Sequence, residues 1–129
     1  MANLLIDIGN SNCKAATGQG TELGEILKSS QTDVLSFILS AIEGKQIDVI
    51  VLSTVREEDL QMQQVLAAKC RKLVVVKPHM ELPIDLHYGF PANSLGADRL
   101  AAALAVAMLF PGRDCIKFDF GTKIFHGII

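Results

Sequence analysis

The chain of 129 residues contains the same short pattern twice, an apolar strand that ends in Asp-x-Gly followed by Asn or Thr. The first copy is Asp7-Ile8-Gly9-Asn10-Ser11, and the second is Asp119-Phe120-Gly121-Thr122. These residue types suit a phosphate site, because Asp can hold a metal ion or its waters and Gly lets the backbone approach an anion closely. Asn, Ser and Thr add amide or hydroxyl donors for phosphate oxygens. The alternative is that both copies are ordinary hairpin turns, in which Asp and Gly are also common.

A third group of residues that could do chemistry lies between the two copies. Tyr88-Gly89-Phe90-Pro91 is followed by Leu95-Gly96-Ala97-Asp98-Arg99, where an Ala-rich helix is predicted to begin. Asp98 can accept a proton from a substrate hydroxyl, and the planar guanidinium of Arg99 suits a carboxylate or a phosphate. The alternative is a simple helix start, since Asp near a helix N-terminus is stabilised by the dipole. Beside two phosphate patterns, the group favours a kinase.

Composition and charge exclude several classes of function. Half of the residues are hydrophobic, 20% are charged and the net charge is −2, which fits one compact domain with a substantial core. The sequence lacks a basic stripe, an apolar run of membrane-spanning length and a signal peptide, so we expect a cytoplasmic protein with neither nucleic acid nor membrane as a partner. Cys13, Cys70 and Cys115 have neither disulfide-framework nor zinc spacing and are predicted to be reduced and mostly buried.

The periodicity of apolar residues predicts an α/β chain. The predicted elements are strands at 3–7, 12–18 and 22–28, a helix at 33–43, a strand at 48–52, a helix at 57–71, a strand at 73–76, a helix at 96–110 and a hairpin of 116–119 with 122–129. Three meandering strands followed by alternating helices and strands predict a ribonuclease-H-like domain, a mixed sheet with flanking helices. Acidic residues at the start of the 57–71 helix and basic ones at its end are predicted to match its dipole.

The repeated pattern also predicts how the chain is divided. Each copy is expected to open a domain with the same hairpin. Residues 1–113 are then a ribonuclease-H-like N-terminal domain, and residues 114–129 are the first hairpin of a second domain that is cut short.

The motifs together resemble type III pantothenate kinase, a family of the sugar-kinase/actin superfamily, and this resemblance implies an actin-like ATPase domain. Residues 7–11 resemble the first phosphate motif of the family, and residues 119–122 resemble the start of its second phosphate motif. Residues 95–99, with the preceding Tyr88, resemble its pantothenate motif. Ser53-Thr54-Val55 after a buried strand fits the family's layout.

The resemblance implies ATP-dependent phosphorylation of pantothenate to 4'-phosphopantothenate, the first step of coenzyme A synthesis, by a homodimer. Asp98 is implied to be the general base. The residues implied to contact ATP and its Mg²⁺ are Asp7, Ile8, Gly9, Asn10, Ser11, Asn12, Cys13, Lys14 and Thr122. The residues implied to contact pantothenate are Tyr88, Gly96, Ala97, Asp98 and Arg99. The implied metal ligands are Asp7 for Mg²⁺ and Asp119 for a monovalent cation, K⁺ or NH₄⁺.

The sequence departs from the family pattern after Thr122. The family usually continues Ala-x-Thr-x-Asp, whereas this chain has Lys123, Phe125 and Gly127 at those places, and the family's chain is much longer. These departures predict a truncated and inactive version of the kinase. Two alternatives remain at this point: a non-catalytic regulatory or binding protein derived from the same family, and another small-molecule kinase of the superfamily.

Overall fold

The computed structural model of the protein describes residues 1–30, 32–77, 80–83, 96–120 and 124–128, with side chains described up to residue 118. Its contacts divide the chain into two compact units, Met1–Val76 and Lys77–Ile129. The predicted domain boundary at residue 113 stays a prediction.

The first unit is a mixed sheet with two helices. Its elements are β1 (Ala2–Ile8), β2 (Cys13–Gln19), β3 (Glu22–Leu23), β4 (Leu27–Ser29), α1 (Val34–Ala41), β5 (Ile47–Thr54), α2 (Leu60–Ala67) and β6 (Lys72–Val75). The strand order is β3-β2-β1-β5-β6, and β4 also pairs with β2. β1 runs antiparallel to β2 and parallel to β5, which runs parallel to β6. The predicted α/β class, with a mixed sheet and flanking helices, is therefore confirmed.

The strand predicted at 22–28 forms two short pieces instead of one. Leu23 pairs with Gly18. Leu27 pairs with Ala15. The segment from Leu23 to Leu27 thus advances four residues, while its partner segment of β2, from Gly18 to Ala15, advances three. One residue is therefore extra, and a bulge interrupts the ladder. Gly24 lies at this point and donates its N–H to β2 over 2.8 Å, where a Cβ atom would lie only 3.1 Å from the accepting oxygen.

One face of the sheet carries the core of the first unit. Along β1, the buried Leu4, Ile6 and Ile8 alternate with the exposed Leu5 and Asp7. The other strands and both helices complete the same buried cluster with Cys13, Ala15, Ile38, Ala41, Ile42, Ile47, Ile50, Leu52, Met62 and Leu66. Because successive side chains of a strand point to opposite faces, Asp7 lies on the face opposite this core.

Both helices of this unit begin at an aspartate that caps them. Asp33 accepts hydrogen bonds from the backbone N–H and the hydroxyl of Ser36, at 3.1 and 2.7 Å, and these bonds lower the pKa of the Asp33 carboxyl. Asp59 accepts from the N–H of Met62 at 3.0 Å. Such side-chain acceptors satisfy N–H groups that lack a partner in the first helical turn.

The helix predicted at 57–71 is shorter than expected, and its predicted charge pattern is wrong. With Asp59 as the cap, Glu57 and Glu58 precede α2, whose first turn holds no acidic residue and whose last turn holds no basic one. Lys72, just beyond the predicted end of this helix, belongs to β6. Apart from Asp59, which caps the helix, the acids and bases of this segment therefore lie outside the first and last turns of α2, where a helix dipole acts most strongly.

The second unit contains α3 (Ala97–Leu109), β7 (Ile116–Phe120) and β8 (Ile124–Ile128). β7 and β8 pair antiparallel, which confirms the predicted hairpin. Gly112 follows α3 with φ of +72°, a backbone conformation that favours glycine. Near the start of α3, Leu100 is 1% exposed, whereas Met108 near its end is 73% exposed. None of the helices in the described part of the chain has the length and apolarity to span a bilayer.

Candidate functional site

The first candidate group lies at the carboxyl ends of two parallel strands. Asp7 pairs with Lys14 across the β1–β2 ladder and with Ser53 across the β1–β5 ladder. Paired residues of neighbouring strands share a face of the sheet, so these three residues lie side by side on the face opposite the core. The carboxyl edge of parallel strands is where open α/β sheets bind ligands.

The turn between β1 and β2 is closed by its own backbone. The N–H of Gly9 donates to the carbonyl of Asn12 over 2.8 Å, and a Cβ atom at Gly9 would lie 3.3 Å from that same oxygen. Glycine is therefore favoured here by close approach. Asn10 and Ser11 are exposed, and their N–H groups make no backbone hydrogen bond to another described residue. The turn thus presents two N–H groups and two polar side chains that an anion can use.

The segment after β5 is hydrogen-bonded to this turn. The N–H of Val55 donates to the carbonyl of Ile8 over 3.0 Å. The Nε of Arg56 donates to the carbonyl of Gly9 over 2.8 Å, and its Nη2 lies 3.5 Å from the carbonyl of Asn10. Sequence reasoning missed Arg56. The available signal was a cationic residue directly after Ser53-Thr54-Val55, at the end of a predicted buried strand.

Ser53 is a second residue that sequence reasoning did not place in the site. It is 7% exposed, and its Oγ has no hydrogen-bond partner among the residues that the structure describes. Buried hydroxyls are usually hydrogen-bonded. As the register neighbour of Asp7, Ser53 offers a polar group to a water or a ligand at the strand ends.

Cys13 lies at the start of β2 and is almost completely buried. Burial raises the pKa of its thiol, the nearby charge of Arg56 lowers it, and the carboxylate of Asp7 raises it again. Since the net pKa shift is upward, the thiol is protonated at neutral pH and is a poor nucleophile or metal ligand. All three cysteines are free, as predicted, although Cys70 and Cys115 are only half-buried.

The second candidate group begins α3. Gly96 occupies the N-cap position in an extended conformation, and its carbonyl accepts from the N–H of Leu100 over 3.1 Å. The helix therefore starts without a side-chain cap at that position. Ala97 is buried, Asp98 is exposed in the first turn, and Arg99 is half-buried. Asp98 is thus placed where the helix dipole stabilises a carboxylate.

The remaining predicted site residues fall partly outside the described structure. Tyr88 and Thr122 lie outside the described residues. Asp119 lies in β7, where its backbone pairs with Phe125, but its side chain is outside the described part. Within the described ranges, no group of three or more His, Cys, Asp or Glu residues could hold a metal ion. Residues 7–14 belong to the first unit and residues 96–99 to the second.

Comparison with known proteins identifies the family. The family model of type III pantothenate kinase matches residues 3–127. A type III pantothenate kinase of Cytophaga hutchinsonii is 32% identical over 128 residues, covering 98% of this chain and 51% of that protein. One from Bacteroides fragilis is 32% identical over 132 residues, covering 98% of this chain and 51% of that protein. The type III pantothenate kinase 1 of Francisella tularensis subsp. holarctica is 32% identical over 133 residues, covering 91% of this chain and 50% of that protein.

The chain spans about half the length of these relatives. The match nevertheless extends over almost the whole of the present sequence and includes the turn after β1, the start of α3 and the β7–β8 hairpin. The chain therefore belongs to the type III pantothenate kinase family.

Proposed function

We propose that the chain serves the ATP-dependent phosphorylation of pantothenate to 4'-phosphopantothenate, the first step of coenzyme A synthesis. The observation that carries this proposal is the family match over residues 3–127, which contains both candidate groups. Since the chain spans about half the length of the relatives it matches, the activity, its substrates and its partners are proposals for this sequence.

In this proposal the turn after β1 binds the phosphates of ATP. The N–H groups and side chains of Asn10 and Ser11 serve as phosphate donors, and Lys14 adds a positive charge. Ile8, Gly9, Asn12 and Cys13 contribute backbone contacts to the same nucleotide. Thr122 is proposed to contact ATP as well.

Asp7 is the proposed ligand of Mg²⁺. Mg²⁺ is commonly held by one or two carboxylates together with waters and substrate phosphates, so a cluster of protein ligands is not required. A single exposed carboxylate at the end of β1, beside a turn with anion donors, fits that mode of binding. When bound, the ion would neutralise charge on the phosphates.

The start of α3 is the proposed pantothenate site. Asp98 accepts the proton of the pantothenate hydroxyl, and Arg99 binds the pantothenate carboxylate through its planar guanidinium. Gly96 and Ala97 place the backbone against the substrate, and Tyr88 is proposed to contact it.

Four further features belong to the same proposal. Asp119 is proposed to hold the monovalent cation, K⁺ or NH₄⁺. The protein is proposed to act in the cytoplasm as a homodimer. Residues 1–113 are proposed as the ribonuclease-H-like domain, and residues 114–129 as the first hairpin of a second domain. The cation site and the homodimer rest on the resemblance to the family, the location rests on the composition of the sequence, and the division into domains rests on the repeated Asp-x-Gly pattern.

The direct test is to incubate the chain with Mg-ATP, K⁺ and pantothenate and to detect 4'-phosphopantothenate by mass spectrometry. From the 129-residue chain we expect little or no product, because the residues after Thr122 depart from the family pattern. In a chimera that replaces these residues with the matching sequence and the C-terminal half of a relative, we expect product in proportion to enzyme, and Asp98→Asn should lower its turnover by roughly 10²–10⁴-fold, the range for losing a general base. Pantothenate binding, which ligand-detected NMR measures, should be reduced less than turnover in Asp98→Asn. Asp114→Asn is a matched control outside the proposed site, and it should leave turnover unchanged.

The outcomes separate the competing functions. Binding of pantothenate without any product from the completed chimera, even over long incubation, would favour a non-catalytic binding protein. Phosphorylation of a sugar in place of pantothenate would identify another kinase of the superfamily. Full turnover in Asp98→Asn would show that Asp98 is only a residue of the helix start and not the base.

A further inference from the structure

We infer that Arg56 is a positioning residue for the turn after β1, holding the backbone carbonyls of Gly9 and Asn10 so that the N–H groups of the turn are left for an anion. The inference rests on the proposed phosphate-binding role of that turn. It adds a side chain that holds this turn from outside its own backbone.

The contacts of Arg56 run to the turn over a long separation in the chain. Its Nε donates to the carbonyl of Gly9 over 2.8 Å, across 47 positions of sequence. Its Nη2 lies 3.5 Å from the carbonyl of Asn10, which is at the long limit for a hydrogen bond. A charged donor makes a stronger hydrogen bond than a neutral one, so the Nε contact is the main anchor.

The backbone that carries Arg56 is itself held in place. The N–H of Arg56 donates to Oγ1 of Thr54 over 3.1 Å. The N–H of Val55 donates to the carbonyl of Ile8 over 3.0 Å. Since Ile8 and Thr54 are register neighbours in the parallel β1–β5 pair, the side chain of Arg56 extends from a fixed point of the sheet. A binding turn supported in this way keeps its geometry before the ligand arrives.

The chemistry of the contacts matters as much as their position. The guanidinium has five N–H donors, and the two contacts described above use only part of them. The partners are carbonyl oxygens without net charge, so the contacts do not cancel the positive charge of Arg56. That charge reaches its surroundings, because Arg56 lowers the pKa of the neighbouring Cys13 thiol against the effect of burial. An anion at the turn is attracted by the same charge.

The test compares Arg56→Gln, Arg56→Lys and the matched control Arg71→Gln in the 129-residue chain. Arg71 is a suitable control because its Nε also bonds to a residue of another segment, Asp48, over 2.7 Å. Two quantities are measured by NMR: the hydrogen-exchange rate of the Gly9 amide without ligand, and the affinity of the Asn10 and Ser11 amides for inorganic tripolyphosphate.

We expect Arg56→Gln to speed exchange at Gly9 and to weaken tripolyphosphate binding, each by roughly tenfold or more, the effect of losing one charge-assisted hydrogen bond. Arg71→Gln should change neither quantity. Methylguanidinium added to Arg56→Ala should restore part of the affinity, which a merely structural role would not produce.

Unchanged exchange and unchanged affinity in Arg56→Gln would overturn the inference. If that variant does not fold, Arg56→Lys decides, because lysine keeps the charge without the planar fork. A lysine variant equal to the original protein in both measurements would show that the guanidinium is not needed. If the original protein binds no tripolyphosphate but Arg56→Gln still speeds exchange at Gly9, the proposed function of the turn fails and its positioning by Arg56 stands.

Discussion

The two Asp-x-Gly hairpins of this chain share a sequence pattern but differ in what surrounds them. β1 and β2 belong to a six-stranded sheet, and β1 is paired on both sides. β7 and β8 form a sheet of two strands. Ile6 of β1 is 3% exposed, whereas Ile116 of β7 is 64% exposed. The same local pattern therefore follows a buried strand paired on both sides in one unit and a strand with exposed apolar side chains, Ile116 and Phe118, in the other.

The connections of the two hairpins also differ in length. The last pair of the first hairpin is Ile8 with Cys13, which leaves four residues between them. The last pair of the second is Phe120 with Ile124, which leaves three. As a result Asp7 pairs with Lys14, whereas Asp119 pairs with Phe125. The return strand of the second hairpin is therefore shifted by one position in register relative to that of the first.

The largest expected effect is a difference in stability between alanine substitutions in the two hairpins. Ile6→Ala removes a fully buried side chain and should lower the free energy of unfolding by about 2–5 kcal/mol. Ile116→Ala removes an exposed side chain of the same type and should change it by less than about 0.5 kcal/mol. Urea denaturation followed by circular dichroism measures both. Equal losses would show that the second hairpin is packed as tightly as the first.

A second expected effect concerns association through the exposed hairpin. Ile116 and Phe118 expose more than half of their surface on a two-stranded sheet, and exposed apolar strands tend to pair with other chains. We expect self-association that rises with concentration in light scattering and that Ile116→Lys reduces. Leu23→Lys, on the exposed β3, is the control. Association that persists unchanged in Ile116→Lys would place the contact elsewhere.

A third expected effect compares the thiols that lie next to the two hairpins. Cys13 is buried, and burial raises the pKa of its thiol, whereas Cys115 beside β7 is half-buried. We expect an aromatic disulfide reagent to modify Cys115 at least about tenfold faster than Cys13 under native conditions, because reaction needs an accessible thiolate. Mass spectrometry of peptides after short exposure gives both rates. Faster reaction at Cys13 would mean that the first hairpin opens readily.

The raised pKa of Cys13 has a further consequence for stability against pH. The folded protein holds the thiol proton more tightly than the unfolded chain, so the contribution to stability is full below the ordinary value of 9.0. It is lost as pH rises from that value through the higher pKa of the folded state. Cys13→Ala should remove this part of the fall in the free energy of unfolding at alkaline pH.

The smallest expected effect concerns Ser53. Its hydroxyl is buried and has no partner within the described residues, so Ser53→Ala removes a desolvated polar group without breaking a hydrogen bond to them. We expect the free energy of unfolding to stay within about 1 kcal/mol of the original or to rise slightly. A loss of about 2 kcal/mol or more would show that the hydroxyl has a strong partner, such as an ordered water. Thr54→Val serves as the control, because its Oγ1 accepts from Arg56.

Much of the fold could be predicted from the periodicity of apolar residues and from the residues that start and stop each element. The strand predicted at 3–7 is β1 (Ala2–Ile8), and the helix predicted at 33–43 is α1 (Val34–Ala41), two residues shorter at its end. The length of α2 was missed because Asp59 is the effective cap and the acids before it are not helical. The bulge at Gly24 was missed because it depends on pairing with β2, which local propensity does not report.

The sequence by itself determined the two turn motifs, their order and their family, since each motif is a short run of residue types with its own local geometry. Only the tertiary structure brought Ser53 beside Asp7 and Arg56 onto the carbonyl of Gly9. The physical reason is that a parallel β1–β5 pair joins residues more than forty positions apart. No local pattern of a sequence encodes which side chain of one strand end reaches the backbone of another.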